Sequence, residues 1–145
     1  MFTFDRFAFL TCETASGSSM PYALSLPDGY DPAKSYPLVF FLHGAGERGR
    51  DKSALLRHCV REFFETRPEY FTNAIVLCPQ CPDQEQWVDA SWLEGTYSTA
   101  AVLESRAMRA AWSILEKITA EQNVDRSRIY VVGLSMGGYG AWDVL

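Results

Sequence analysis

The chain has 145 residues, of which 48% are hydrophobic and 14% aromatic, and this length and composition suit one domain with a packed core. A formal net charge of −5 and no run of lysine and arginine exclude nucleic acid and anionic membranes as expected partners. The longest apolar stretch, residues 37–42, is too short to cross a bilayer, and the first residues lack the basic and then apolar pattern of a signal peptide. The sequence therefore predicts a soluble, cytoplasmic protein, or a secreted one if a signal peptide has been removed.

The first half of the chain predicts a hairpin followed by two buried parallel strands. Residues 2–13 and 20–26 are rich in strand-forming residues and flank a polar turn, which indicates an antiparallel hairpin. Residues 38–42 and 74–78 are unbroken apolar runs, as expected for central strands that are covered on both faces. Between these two strands, residues 53–65 place their apolar side chains on one stripe, which predicts an amphipathic helix.

A long loop, residues 79–97, follows the second buried strand and contains Trp87 and Trp92. Such loops often shape binding clefts, which makes Trp87 a candidate substrate-binding residue. The alternative is that the tryptophans pin the loop to the body of the domain. Residues 99–122 then predict the longest helix. The order of elements predicts an α/β fold over residues 1–145, with a mixed, mostly parallel sheet and helices on both faces.

The four cysteines are too few for a disulfide framework at this length. Cys78 and Cys81 form a CxxC pair, a spacing found in zinc and redox sites. However, a zinc ion needs further ligands, and the only histidines, His43 and His58, stand at no familiar spacing from this pair. A core cysteine at the end of a strand and a second one in the following loop fit better, so neither a metal nor a cofactor is predicted.

The motif GxSxG stands where the last predicted strand, residues 129–132, meets the last predicted helix. In a nucleophile elbow at such a junction, the serine adopts a strained backbone conformation that exposes its hydroxyl group. Positions 133 and 137 would require a residue as small as glycine, because the strand, the turn and the helix approach one another closely there. Ser135 is therefore the predicted nucleophile. The alternative, a serine that caps the helix or binds phosphate, fits less well because the spacing matches neither GxGxxG nor GxxxxGK[ST].

Four segments resemble the first half of an α/β-hydrolase, and the resemblance covers residues 26–143. In chain order they read LPDGYDP, YPLVFFLHGAGERGRD, VLCPQCP and IYVVGLSMGGYGAWD. They are most similar to the predicted peptidases and phospholipase/carboxylesterase-like esterases, which are related to polyhydroxybutyrate depolymerases and feruloyl esterases. The resemblance implies an α/β-hydrolase fold and a serine hydrolase that cleaves small carboxylic esters through an acyl-enzyme on Ser135.

The resemblance also implies which groups would bind the oxyanion. The donors would be the main-chain N–H groups of Met136, directly after the nucleophile, and of Ala45, in the loop after the third strand. The flanking glycines of that loop would let it bend close to the substrate. His43 resembles the structural histidine of the family rather than the triad base, and His58 lies among charged residues of a predicted surface helix.

The triad is incomplete in this sequence. Its order in the fold is serine, then aspartate or glutamate, then histidine, and no histidine follows Ser135. We therefore expect the chain to be the amino-terminal half of a longer hydrolase, with the triad acid and histidine beyond residue 145 and with the fragment inactive by itself. Two alternatives stay open: a serine peptidase of the same fold, or an inactive module that forms homo-oligomers through an open strand edge.

Overall fold

The computed structural model describes residues 4–14, 17, 19–91 and 95–145. Five strands lie within these ranges: β1 (Ala8–Glu13), β2 (Ser19–Ser25), β3 (Tyr36–Leu42), β4 (Ile75–Pro79) and β5 (Val124–Gly133). The α-helices are α1 (Lys52–Leu55), α2 (Cys59–Thr66), α3 (Pro68–Phe71), α4 (Arg106–Glu121) and α5 (Met136–Asp143). Short 3₁₀ turns occupy Phe4–Arg6, Ala45–Glu47 and Thr99–Ala101.

The five strands form one mixed sheet in the order β1-β2-β4-β3-β5. β1 and β2 are an antiparallel hairpin, and β2 also pairs antiparallel with β4. β3 then pairs in parallel with β4 on one side and with β5 on the other. The predicted mixed sheet, parallel after its first strands, is confirmed. Since parallel neighbours need a crossover, helices α1 to α3 connect β3 to β4, and α4 connects β4 to β5.

The unbroken apolar run of β3 reflects helices on both faces of the sheet. Leu38, Phe40 and Leu42 are fully buried in a core cluster that includes the inner face of α4. Val39 and Phe41 point to the opposite face, where they pack in a second cluster with residues of α1 and α2. Successive side chains of a strand alternate between its two faces. A central strand covered on both faces therefore has no polar position.

Two helical predictions needed correction. The single helix expected over residues 53–65 is divided into α1 and α2, because His58 adopts a non-helical conformation with φ −104° and ψ −99°. The long helix begins at Arg106 rather than near residue 99. Its start is fixed by Ser105, whose Oγ accepts a hydrogen bond from the Met108 N–H and donates one to the Trp87 carbonyl oxygen.

β5 forms one edge of the sheet within the described part of the chain, where it pairs with β3 alone. Tyr130 on this strand is 53% exposed, and Trp142 on the following helix α5 is 74% exposed. A groove of about 490 Å³ beside β5 is lined partly by Phe71 and Val132. None of the helices in the described ranges is long and apolar enough to span a membrane.

Candidate active site

Ser135 lies between β5 and α5 in a backbone conformation that is rare for a residue with a side chain. Its φ of 51° and ψ of −116° place it in the left-handed half of conformational space. The turn is closed by main-chain hydrogen bonds from the Gly137 N–H to the Leu134 carbonyl oxygen and from the Gly138 N–H to the Ser135 carbonyl oxygen, both at 2.8 Å. Ser135 is exposed to solvent. This is the strained, outward-facing serine that the motif predicts.

The two glycines of the motif are required by close main-chain approaches. A Cβ atom at Gly133 would overlap the carbonyl group of Gly137, and one at Gly137 would overlap the carbonyl group of Leu42. A third glycine, Gly140, faces the side chain of Trp87, whose Cβ would lie 2.7 Å from an added methyl group. Helix α5 can therefore leave the turn and pack against the sheet only with glycine at these positions.

The loop after β3 runs directly beside Ser135 because β3 and β5 are parallel neighbours. Leu42 and Gly133, at the ends of the two strands, are paired residues, and the Leu134 N–H donates to the Leu42 carbonyl oxygen at 3.2 Å. A Cβ atom at Gly44 would lie 3.7 Å from the Cβ of Ser135. The carboxyl ends of the two strands thus bring the Gly44–Ala45 segment and Ser135 to one place.

Two main-chain N–H groups are available in this region. Ala45 is the first residue of the 3₁₀ turn, and Met136 is the first residue of α5. The first N–H groups of a helical turn have no acceptor within that turn. No acceptor for either N–H group is recorded among the residues that the structure describes. Both could therefore donate to a ligand next to Ser135.

No family model matches the chain. Two curated proteins are each 25% identical to it over 117 residues, namely Probable feruloyl esterase C of Aspergillus terreus and Feruloyl esterase C of Emericella nidulans. These matches cover 81% of this chain and 37% of each fungal protein. The crystal structure of a thermostable esterase superposes with a TM-score of 0.78 and 37% sequence identity, over 97% of this chain and 37% of the esterase. The chain has the α/β-hydrolase fold.

This α/β-hydrolase chain thus spans 37% of the length of the curated relatives that it matches. Within that span it carries the sheet up to β5 and the turn with Ser135. A ferulic acid esterase with a TM-score of 0.62 and 21% identity, which matches over 93% of this chain, agrees in fold. The predicted fold class is confirmed by these similarities together with the strand order.

The loop after β3 is fixed by side chains outside its 3₁₀ turn. The Arg48 Nε donates to the Ala45 carbonyl oxygen at 3.0 Å, and its Nη1 donates to the Glu85 carbonyl oxygen at 3.1 Å. The buried Gln80 donates through Nε2 to the carbonyl oxygens of Glu47 and Asp51, both at 2.9 Å. These bonds tie the loop to the segment after β4. Arg48 and Gln80 were not predicted, and the only signals in the sequence were their places in the GERGRD and CPQC stretches.

His43 is only 1% exposed, and both of its ring nitrogens are bound to main-chain groups. Its Nε2 accepts a hydrogen bond from the Cys81 N–H at 2.9 Å, so Nδ1 carries the proton and donates to the Gly44 carbonyl oxygen at 2.6 Å. Burial lowers the pKa of His43 from 6.5 to about 4. The imidazole is therefore neutral, structural and unavailable as a base for Ser135, as the resemblance implied.

The structure corrects the prediction that Trp87 binds substrate. Its side chain is completely buried, and its indole N–H donates to the His43 carbonyl oxygen at 2.9 Å. Its ring also stacks edge-on against the His43 ring with centroids 5.1 Å apart. Trp87 thus pins the long loop beneath the active-site strand, which is the alternative that the sequence left open. Trp92, the second tryptophan of that loop, lies outside the described residues.

Two tyrosines near the nucleophile were not predicted. Tyr139 lies one turn of α5 after Ser135 and is 38% exposed. The Tyr97 hydroxyl donates to the Tyr139 carbonyl oxygen at 3.3 Å, and the two rings lie 6.1 Å apart. Leu134, directly before the nucleophile, is 43% exposed. Ser135 therefore stands at the border of an accessible apolar surface.

The CxxC pair has the character of core cysteines. Cys78 and Cys81 are both buried and unpaired. Burial raises the pKa of both thiols, that of Cys81 to about 12. Protonated thiols are poor nucleophiles and poor metal ligands. The side chain of Cys59 lies outside the described atoms.

Proposed function

We propose that this chain supplies the nucleophile and the oxyanion site of an ester hydrolase. The observation that carries the proposal is the left-handed conformation of Ser135 at the strand-to-helix turn, with the Gly44 segment beside it. The relatives support the same reaction class, since they are described as feruloyl esterases and as a thermostable esterase.

In the proposed reaction, Ser135 Oγ attacks the carbonyl carbon of an ester. The carbonyl oxygen becomes an oxyanion, which the N–H groups of Ala45 and Met136 bind. When the tetrahedral centre collapses, the alcohol leaves and an acyl-enzyme remains, which water then hydrolyses. Each preorganised donor of this kind contributes about 3 to 4 kcal/mol to transition-state stabilisation. The Ala45 and Met136 N–H groups begin helical turns, where further positive charge is concentrated.

The proposed reaction also needs a base that takes the proton of Ser135. His43 is neutral and bound at both ring nitrogens, and the recorded polar partner of the His58 side chain is Glu47. Within the described ranges, neither histidine is hydrogen-bonded to Ser135. We therefore place the triad histidine and acid outside these 145 residues, and we expect the chain alone to turn over esters very slowly.

An aromatic acyl group is the favoured substrate. The two fungal relatives are described as feruloyl esterases, and a feruloyl group carries a phenolic ring. Tyr139 and Leu134, close to Ser135 in the chain, are exposed, and the half-buried Tyr97 lies beside Tyr139. Aromatic pairs of this kind add about 0.5 to 1.5 kcal/mol beyond the burial of their area.

The test uses the whole protein that carries this chain, with p-nitrophenyl acetate and methyl ferulate as substrates and a fluorophosphonate as a covalent probe. The proposal expects hydrolysis of both esters and labelling of a single serine, and both should be lost in Ser135→Ala. Ser113→Ala is the matched control, because that hydroxyl only donates to the Arg109 carbonyl oxygen on the outer face of α4. Full hydrolysis by Ser135→Ala would disprove the proposal.

A second candidate function is suggested by the open edge of β5 and the exposed Tyr130 and Trp142. Unpaired strand edges pair readily with other chains. As a non-catalytic module, the 145-residue chain would form a stable homo-oligomer in light scattering and would not react with a fluorophosphonate. Monomeric behaviour at micromolar concentration would exclude this candidate.

A further inference from the structure

Glu47 is a carboxylate in an unusual place. Its side chain is only 8% exposed, whereas glutamates are almost never buried without a partner. One of its carboxylate oxygens lies 3.2 Å from the position that a Cβ atom of Gly44 would take. That same position lies 3.7 Å from the Cβ of Ser135. The carboxylate, Gly44 and the nucleophile are therefore successive neighbours.

The polar partner recorded for this carboxylate within the described ranges is His58. The His58 Nε2 lies 3.9 Å from the Glu47 Oε1, and the His58 side chain is 65% exposed at the start of α2. An ion pair between two exposed side chains contributes little. Here one partner has lost most of its water, so removal of the imidazole would leave a mostly covered carboxylate without this polar neighbour.

The position of Glu47 in its 3₁₀ turn places its carboxylate where it can affect the conformation of Gly44. Ala45 begins the 3₁₀ turn and Glu47 is its third residue. A glutamate at the third position of a helical turn commonly reaches back to the residue before the turn, which here is Gly44. The carboxylate therefore lies beside Gly44, whose peptide bond to Ala45 carries the Ala45 N–H.

We propose that Glu47 and His58 form a positioning pair that holds residues 44–47 in the conformation that binds the oxyanion. The inference rests on the proposed ester hydrolysis for its kinetic consequence. Its structural consequence, the rigidity of the loop, is independent of that function. The pair acts on the Ala45 N–H rather than on the substrate, so it affects the chemical step and leaves the binding of the ester unchanged. A misplacement of about 1 Å in such a site can lower the rate about a hundredfold.

The experiment compares charge-removing variants of the whole protein. Glu47→Gln keeps the shape of the side chain and removes the carboxylate, and His58→Gln removes the imidazole. Each is expected to lower kcat about tenfold with KM changed less than about twofold. The double variant should be no slower than either single variant, because both remove the same interaction. His58→Lys should recover most of the rate, since its ammonium group can again face the Glu47 carboxylate.

Two neighbouring substitutions serve as controls. Arg57→Gln removes the adjacent cation, which pairs with Asp51 at 3.8 Å, and Glu65→Gln removes a carboxylate that pairs with Arg61 at 3.0 Å. Both should leave kcat within about twofold of the wild type. Multiplying effects in the double variant, a change in KM alone, or no recovery with His58→Lys would overturn the proposal.

Hydrogen exchange separates this inference from the proposed function. The amides of residues 43–49 should exchange about tenfold faster in Glu47→Gln and in His58→Gln than in the wild type, and Arg57→Gln should not differ from the wild type. If the wild type hydrolyses no ester, the proposed function fails while this measurement still decides the pairing. If Glu47→Gln does not fold by circular dichroism, the His58 variants carry the same comparison. Unchanged exchange in the His58 variants would overturn the pair.

Discussion

Replacement of Ala45 by proline removes one oxyanion donor with little disturbance of the loop. Proline has no N–H, and it is tolerated at the first position of a helical turn, which is the position of Ala45. The residue before a proline must be extended, and Gly44 already has φ −77° and ψ 177°. The bond from the Arg48 side chain to the Ala45 carbonyl oxygen is retained. The fold should therefore survive the change.

The expected loss follows from the role of one donor. Removal of a single oxyanion donor lowers kcat about 100- to 1000-fold, or about 3 to 4 kcal/mol. The proline ring also occupies the space into which the N–H would point, so its steric effect acts in the same direction. We expect Ala45→Pro to lower kcat for p-nitrophenyl acetate by at least about a hundredfold, with a melting temperature within about 3 °C of the wild type.

Ala45→Ser is the matched control, because it adds one polar atom and keeps the N–H. It should retain kcat within about threefold of the wild type. If Ala45→Pro folds normally and also retains kcat within this limit, the Ala45 N–H is not an oxyanion donor. The reasoning from Gly44 to the active site would then be refuted.

Three further predictions concern stability and are checked by urea unfolding. Gly137→Ala should destabilise the fold by more than about 3 kcal/mol because its methyl group would overlap the Leu42 carbonyl group. The control Gly138→Ala, whose added methyl group would have its nearest neighbour 3.8 Å away, should be neutral or stabilising by up to about 1 kcal/mol. Equal effects of the two changes would contradict the close approach of residue 137 to Leu42. Trp87→Phe should lower the free energy of unfolding by about 1 to 3 kcal/mol, since it leaves the buried carbonyl oxygen of His43 without its donor. It should leave KM unchanged. A large rise in KM would instead indicate that Trp87 contacts the substrate. Burial lowers the pKa of His43 from 6.5 to about 4, so its neutral form stabilises the fold fully above pH 6.5, and this contribution, of the order of 3 kcal/mol, is lost as the pH falls towards 4. In His43→Gln, the free energy of unfolding should therefore fall less steeply between pH 6.5 and 4. An unchanged dependence on pH would show that other groups cause it.

The elements that sequence could predict are those determined by short-range constraints. The conformation of Ser135 could be predicted from five consecutive residues, because glycine at positions 133 and 137 allows the close main-chain approaches that this turn requires. β3 and β4 were predicted equally well, since an unbroken apolar run has few places in a fold other than a strand covered on both faces. In both cases the deciding signal lies within the segment itself, although the contacts that it reflects do not.

The rest depended on contacts between distant segments. The break between α1 and α2 comes from the conformation of His58, which no helix-stopping residue announces. Trp87 is buried because its indole finds the His43 carbonyl oxygen 44 residues earlier in the chain. Glu47 was not singled out, because a glutamate in a polar loop normally faces water. Partners that are remote in sequence cannot be read from either segment alone.

The arrangement of β3 and β5 explains why this segment can carry half of a catalytic site. Because the paired residues Leu42 and Gly133 end adjacent parallel strands, the loop that offers the Ala45 N–H and the turn that presents Ser135 leave the sheet side by side. The Leu42 carbonyl oxygen joins the two, since it accepts the Leu134 N–H and lies against Gly137. The proposed nucleophile and the two proposed oxyanion donors are thus positioned by one strand pair. On this proposal, a base from elsewhere needs only to approach a serine whose N–H donors are already in place.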